Sequence, residues 1–262
     1  MNLVWGIVIG IIALTILVVL HELGHALVAR RNGVRVEEFG IGFPPAAYKK
    51  NVKKSFLGKN VVYSVNWLPL GGFVKLQGEH DDDKKPGDYG AATFWQKTKI
   101  LLAGVMMNWL TAVILLTILA WFGLPQLVPH QFTVASDTHV IYNPVVLASI
   151  EKDLPAESAG LKSGDAVISV NGEKIETSAQ LSEAAAAHKG EMVRVTYKRD
   201  GAERVAHVAL RSTNDDKRGY LGAGLSQERL TRSTWSAPIV GIGVTAQLTG
   251  ITLQGLGQVI GD

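Results

Sequence analysis

His21-Glu22-Leu23-Gly24-His25 places two imidazoles and a carboxylate within one short stretch. On a helix, positions i and i+4 share a face, so His21 and His25 can reach a single ion. Glu22 lies beside the first histidine, where a carboxylate can take a proton from an attacking water. Zn2+ is the usual ion for an H-E-x-x-H set. The chain contains no cysteine, so disulfides and thiolate sites are excluded and any metal must be held by His, Asp or Glu. A catalytic zinc normally takes three protein ligands plus water, and no third ligand stands out here. His130, His139, His188 and His207 fall in a segment expected on the far side of a membrane. His80 sits in an acidic stretch with Asp81, Asp82 and Asp83 that reads as a solvated loop. Asp200-Gly201 reads as a hairpin turn, and Asp262 is the last residue.

The elements that must carry these groups are apolar. Leu3 to Leu20 is 18 residues without a charge, about 27 Å of helix and close to the thickness of a bilayer core. The apolar pattern continues through Ala29, so H-E-x-x-H ends a spanning helix, where ionisable groups are costly and usually functional. Ile100 to Phe122 is a second uncharged run, of 23 residues. Ile239 to Ile260 is a third, rich in Gly and Thr and holding Gln247, Gln254 and Gln258; it reads as a span facing other helices or as an interfacial helix. Eight basic residues between Arg30 and Lys59 mark the first connection as cytoplasmic. The N-terminus and the long segment after Phe122 are then extracytoplasmic, and the metal set lies near the cytoplasmic face. A net charge of +3, dispersed along the chain, gives no case for nucleic acid.

Two further segments carry patterned signals. Val61, Tyr63, Val65 and Trp67 alternate, followed by Pro69-Leu70-Gly71-Gly72 and a short run Phe73-Val74-Lys75-Leu76. This predicts a hairpin, strand–turn–strand, whose free edge could hold an unwound substrate by strand addition; the plainer reading is an ordinary cytoplasmic hairpin. Asn108, inside the second apolar run, needs a hydrogen-bond partner. The plainer reading is packing between helices together with Gly104. From about Val140 to Leu210 the composition is that of a soluble α+β domain. A helix from Pro155 to Leu161, a strand from Asp165 to Val170, an Asn171-Gly172 turn, a Ser-capped helix from Ser178 to Ala187 and a hairpin through Asp200-Gly201 are expected.

These residues resemble the site-2 proteases, bacterial intramembrane zinc metalloproteases. The resemblance is carried by H-E-x-x-H ending a first span, by ARRNGVRVEEFGIGF after it and by the P-L-G-G-F-V-K of YSVNWLPLGGFVKLQGE. LAGVMMNWLTA stands where the family has G-P-x-x-N, with Gly104-Val105 replacing G-P and Asn108 retained. AGLKSGDAVISVNGEKI is similar to a bacterial PDZ domain. The resemblance implies Zn2+ on His21 and His25, Glu22 as catalytic base, and substrate contacts at Asn108, Gly71, Gly72, Phe73 and Val74 in a membrane-dipping β-loop. For Asn108 it implies a role in holding substrate backbone or orienting the site. It implies a transmembrane protein as substrate, membrane lipid as surroundings, and a PDZ domain that binds a peptide or filters substrates by size. The family's third ligand comes from a later L-D-G motif, which this sequence lacks, so the polypeptide is expected to be a truncated reading of a longer protein. A non-catalytic, membrane-anchored PDZ adaptor is the rival expectation.

The predicted architecture is a polytopic α-helical membrane protein with a membrane-associated β-hairpin and an extracytoplasmic α+β PDZ domain. Residues 1–29 form the first span, 30–99 a cytoplasmic segment with the β-loop, and 100–122 the second span. Residues 123–235 form the outer segment, with the PDZ domain at about 140–212, and 236–262 a third transmembrane or interfacial helix.

Overall fold

An apolar run with no polar face has no reason to lie along a water-facing core, and it forms one long helix, α1, Leu3–Arg31. Arg30 and Arg31 close its last turn, where cations meet the negative end of the helix dipole. It stops in a Schellman arrangement: Val34 N–H donates to Ala29 O and Gly33 N–H to Arg30 O, with Gly33 at φ +83°. The computed structural model describes residues 3–79, 84–216 and 218–261. His80, Asp81, Asp82, Asp83 and Asp262, weighed above as ligands or linker, lie outside the described residues. The chain divides into two units, 1–115 and 116–262.

In the first unit, α1 is followed by β1, Val36–Ser55, β2, Gly58–Leu76, and α2, Phe94–Phe122, whose later part belongs to the second unit. The pairing corrects the expected hairpin. Segments 61–68 and 72–76 do not pair with each other; both pair with 36–43, on opposite sides, so that Gly40 faces Ser64 and also Phe73. The real hairpin is 46–55 with 58–66, closed at Phe56-Leu57. The result is a four-segment sheet in the order 46–55, 58–68, 36–43, 72–76, in which 36–43 runs parallel to 61–68 and the other neighbours are antiparallel. The chain passes from the inner segment 58–68 across 36–43 to the edge segment 72–76 through 69–71, where Gly71 takes φ +80°, a conformation that favours glycine. Local alternation could not reveal this, because strand partners are chosen by tertiary packing. The sheet packs on α1 around Ala26, Ala29, Val36, Phe39, Val61 and Ile100.

In the second unit, β3 (Leu124–Pro125), β4 (His139–Tyr142) and β11 (Arg229–Arg232) form a small sheet ordered β3-β11-β4. A larger sheet runs β10-β5-β6-β8-β9, with β5 Val145–Ile150, β6 Ala166–Val170, β8 Met192–Arg199, β9 Ala202–Ala209 and β10 Ala223–Ser226; β7, Glu173–Lys174, pairs with β6. The helices α3, Pro155–Ser158, and α4, Ser178–Ala187, contribute Ala156, Leu181 and Ala185 to its core. Asn171-Gly172 and Asp200-Gly201 have positive φ at both positions, as tight hairpin turns require. Two local expectations need correction. The first helix ends at Ser158, because Gly160 at φ +75° turns the chain. The cap of α4 is Thr177 rather than Ser178, in a capping box with Gln180.

Asp165 is buried and receives Arg199 Nε at 2.6 Å. Burial alone would raise its pKa, but hydrogen bonds from Arg199 and from Lys162 N–H outweigh this and hold the carboxyl below the ordinary carboxylate range. Asp137 does the same at the start of α5, Ala237–Gly261. Against the raising effect of burial, the hydroxyls and N–H groups of Thr234 and Ser236 hold its carboxyl well below that range. Leu116, Ala120, Val240 and Val244 pack the end of α2 against α5. Among the described residues three helices, α1, α2 and α5, are long and apolar enough to cross a membrane.

Candidate metal centre

The helical spacing of His21 and His25 brings their Nε2 atoms to 3.1 Å from each other. Glu22 completes the group, with one ligand atom from each residue lying within 4.8 Å of the others. Among the described residues this is the one such His/Asp/Glu group.

The opposite nitrogens are held. His25 Nδ1 lies 2.6 Å from the carbonyl oxygen of Ile100. A carbonyl only accepts, so Nδ1 carries the proton and Nε2 of the neutral ring keeps its lone pair. His21 Nδ1 lies 3.1 Å from the Asn108 carboxamide nitrogen. A half-turn of that amide presents its oxygen instead, the partner that a protonated Nδ1 and a ligating Nε2 require. Both rings therefore have the outer anchor typical of metal-binding histidines.

The facing helix leaves room for an ion. A Cβ placed on Gly104 would lie 2.5 Å from both Nε2 atoms, so any side chain there would fill the space into which they point. A Cβ on Gly24 would lie 2.5 Å from Ala103 O, so this second glycine lets α1 and α2 close to contact. Two zinc–nitrogen bonds of about 2.0–2.1 Å in tetrahedral arrangement separate their nitrogens by about 3.3 Å, close to the separation present. The residues fit zinc.

The sheet reaches the same place. Thr15 Oγ1 donates to Pro69 O at 2.6 Å and accepts from Gly71 N–H at 3.4 Å. A Cβ on Gly72 would meet Val19 at 3.0 Å, so the chain lies directly on α1. Val74 N–H donates to Glu22 Oε2 at 3.2 Å. Of the residues expected to touch substrate, Gly71, Gly72 and Val74 thus lie along α1 toward Glu22, and Phe73 packs over Gly40. Asn108 is placed against His21.

A family model described as peptidase family M50 matches residues 9–260. The chain belongs to that family. The zinc metalloprotease Rip1 of Mycobacterium tuberculosis is 31% identical over 222 residues, covering 81% of this chain and 53% of that protein. The zinc metalloprotease RasP of Geobacillus kaustophilus is 26% identical over 336 residues, covering 97% and 74%. The chain spans about half the length of Rip1. The PDZ domain of the SdrC-like protein Lmo2051 from Listeria monocytogenes is 24% identical, covering 33% of this chain and 92% of that one, at a TM-score of 0.30.

Within this M50 chain, three contributors to the site were not singled out from sequence: the Ile100 carbonyl, Gly104 as the clearance between the rings, and Glu79, whose Oε1 accepts from Leu76 N–H at 2.7 Å. Gly104 and Asn108 had a signal. They stand at i and i+4, the same spacing as the two histidines they face. The Ile100 carbonyl had none, since a backbone acceptor leaves no trace in residue type.

Proposed function

We propose that this chain is the zinc-binding and substrate-facing part of an intramembrane metalloprotease that cleaves transmembrane segments of membrane-tethered proteins. The observation that carries the proposal is the convergence of two anchored imidazoles on the clearance at Gly104, with Glu22 beside them, at the end of an apolar helix.

A zinc ion held by His21 and His25 would polarise water and the scissile carbonyl. Glu22 takes the proton from that water as it attacks and passes it to the departing amide nitrogen. Asn108 and the Ile100 carbonyl keep the two rings turned inward. The segment 72–76 offers backbone groups to a helix that must unwind before its peptide bond can be reached. Thr15 anchors Pro69 and Gly71 about 9 Å along α1 from His21, inside the uncharged run. Trp67, Leu68 and Leu70 are exposed there, as expected of a β-loop dipping into lipid.

In this reading the metal set lies near the cytoplasmic face of a bacterial inner membrane, with the N-terminus and the PDZ domain outside; the basic connection after α1 supports it. A groove of about 630 Å³ in that domain is lined by Ser178 and Ser182 of α4, Gly224 and Leu225 of the end strand β10, and Arg218. It suits a peptide added as a strand, and the domain could equally act as a size filter for bulky outer domains. A metal-free adaptor is the second reading. It is favoured by the metal group among the described residues holding no His, Asp or Glu besides His21, His25 and Glu22, the residue read as the base.

The test uses the full-length protein and a reporter with a transmembrane segment. Glu22→Gln keeps bound zinc and loses cleavage; His21→Ala loses both. A wild-type protein that holds no zinc and cleaves nothing leaves the adaptor.

A further inference from the structure

The strand segment 72–76 has one side on β1, and among the described residues no strand covers its other side. An open edge of this kind pairs with any extended chain unless something blunts it. Here two of the outward donors are already taken, each by a carboxylate. Val74 N–H donates to Glu22 Oε2 at 3.2 Å, and Leu76 N–H to Glu79 Oε1 at 2.7 Å. The space beside this edge is a cavity of about 320 Å³ lined by Glu22, His25, Val74, Leu76, Glu79 and Tyr89. One histidine of the pair, His25, is part of its wall.

We propose that Glu22 and Glu79 guard this edge, and that an incoming substrate backbone must displace both carboxylates to pair with Val74 and Leu76. The inference rests on the reading of 72–76 as the substrate-docking edge. A carbonyl of the added strand takes each N–H, so docking and the release of Glu22 are a single event. Glu22 is thereby freed to act on water only when a peptide bond lies beside the histidines. Glu79 is a positioning residue in this scheme, because it reaches the chemistry only through the strand it caps. The alternation of donors supports this reading. Gln77 N–H donates inward to Arg35 O, so Leu76 and Val74, at alternate positions, present theirs outward.

The test is a binding measurement on the full-length, metal-free protein in lipid nanodiscs, so that nothing is cleaved. The probes are a fluorescent, end-capped heptapeptide of Ala and Leu, and the same peptide N-methylated throughout, which cannot pair as a strand. Glu79→Ala and Glu22→Ala are each expected to bind the plain peptide about tenfold more tightly than wild type, or about 1.4 kcal/mol. The N-methylated peptide is expected to gain nothing. Val74→Pro removes one contested donor at a position where an edge strand tolerates proline, so Glu22→Ala added to it should give no further gain. In the zinc-loaded protein, Glu79→Ala should lower KM for a reporter substrate. Equal affinities of wild type, Glu22→Ala and Glu79→Ala for a peptide that does bind would overturn the guard while leaving edge docking intact. If no variant distinguishes the plain from the N-methylated peptide, edge docking itself fails and the guard falls with it.

Discussion

His25 can be a metal ligand because a backbone carbonyl fixes its proton. Ile100 O leaves Nδ1 no role but donation, and Nε2 is left bare toward Gly104. His21 depends in the same way on Asn108. Losing such an outer partner typically costs 10–100-fold in metal affinity. Asn108→Ala should therefore weaken zinc binding by about that factor in a chelator competition, whereas Asn108→Asp, which keeps an acceptor for Nδ1–H, should restore most of it. Gly104→Ala should abolish zinc binding with the helices intact by circular dichroism, since its methyl would occupy the ion's place. The H-E-x-x-H spacing was fully legible in the sequence, because a 3.6-residue period puts i and i+4 together wherever the helix stands. The anchors were legible only in part: Asn108 stood out as a polar group in an apolar run, but its partner could not be read before α1 and α2 were packed.

Among the elements, those specified by local chemistry were read well and those specified by partners were not. α1 and α2 follow from uncharged runs long and apolar enough to cross a membrane. The turns at Asn171-Gly172 and Asp200-Gly201 follow from residues that tolerate positive φ. The capping box at Thr177 and Gln180 was present as a T-x-x-Q signature, and Ser178 beside it drew the expectation one residue along. The sheet of 36–76 was misjudged because its order is set by non-local pairing through Gly40 and Ile41, with each facing two neighbours. In the larger sheet, the buried Asp165–Arg199 pair ties β6 to the end of β8. Arg199→Ala leaves a buried carboxylate unpaired, which should cost about 3 kcal/mol, seen as roughly hundredfold faster hydrogen exchange in β6 and β8. The folded pKa of Asp165 is depressed, so its contribution is complete above the unfolded value of about 4 and is lost as pH falls through the folded value. Exchange in these strands should accelerate below about pH 4 in wild type and show much less of this dependence in Arg199→Ala.

At the scale of the molecule, the first unit joins a helix carrying His21, Glu22 and His25, a helix whose Gly104 leaves space where the two imidazoles converge, and the sheet segment 72–76 beside them. The second unit supplies the α+β domain with its strand-edge groove and a third helix, α5, held at its start by Asp137. Apolar side chains of α1 and α2, among them Leu3, Trp5, Ile12, Leu102 and Met106, are more than half exposed, as helices long and apolar enough to cross a membrane would have them. The account depends on a metal held between α1 and α2 by two imidazoles. X-ray absorption at the zinc edge, on the full-length protein in lipid, tests this most directly. The account predicts about one zinc per chain with two imidazole nitrogens at about 2.0–2.1 Å, and loss of that signal in His25→Ala. A zinc shell without imidazole, or one unchanged in His25→Ala, would contradict it.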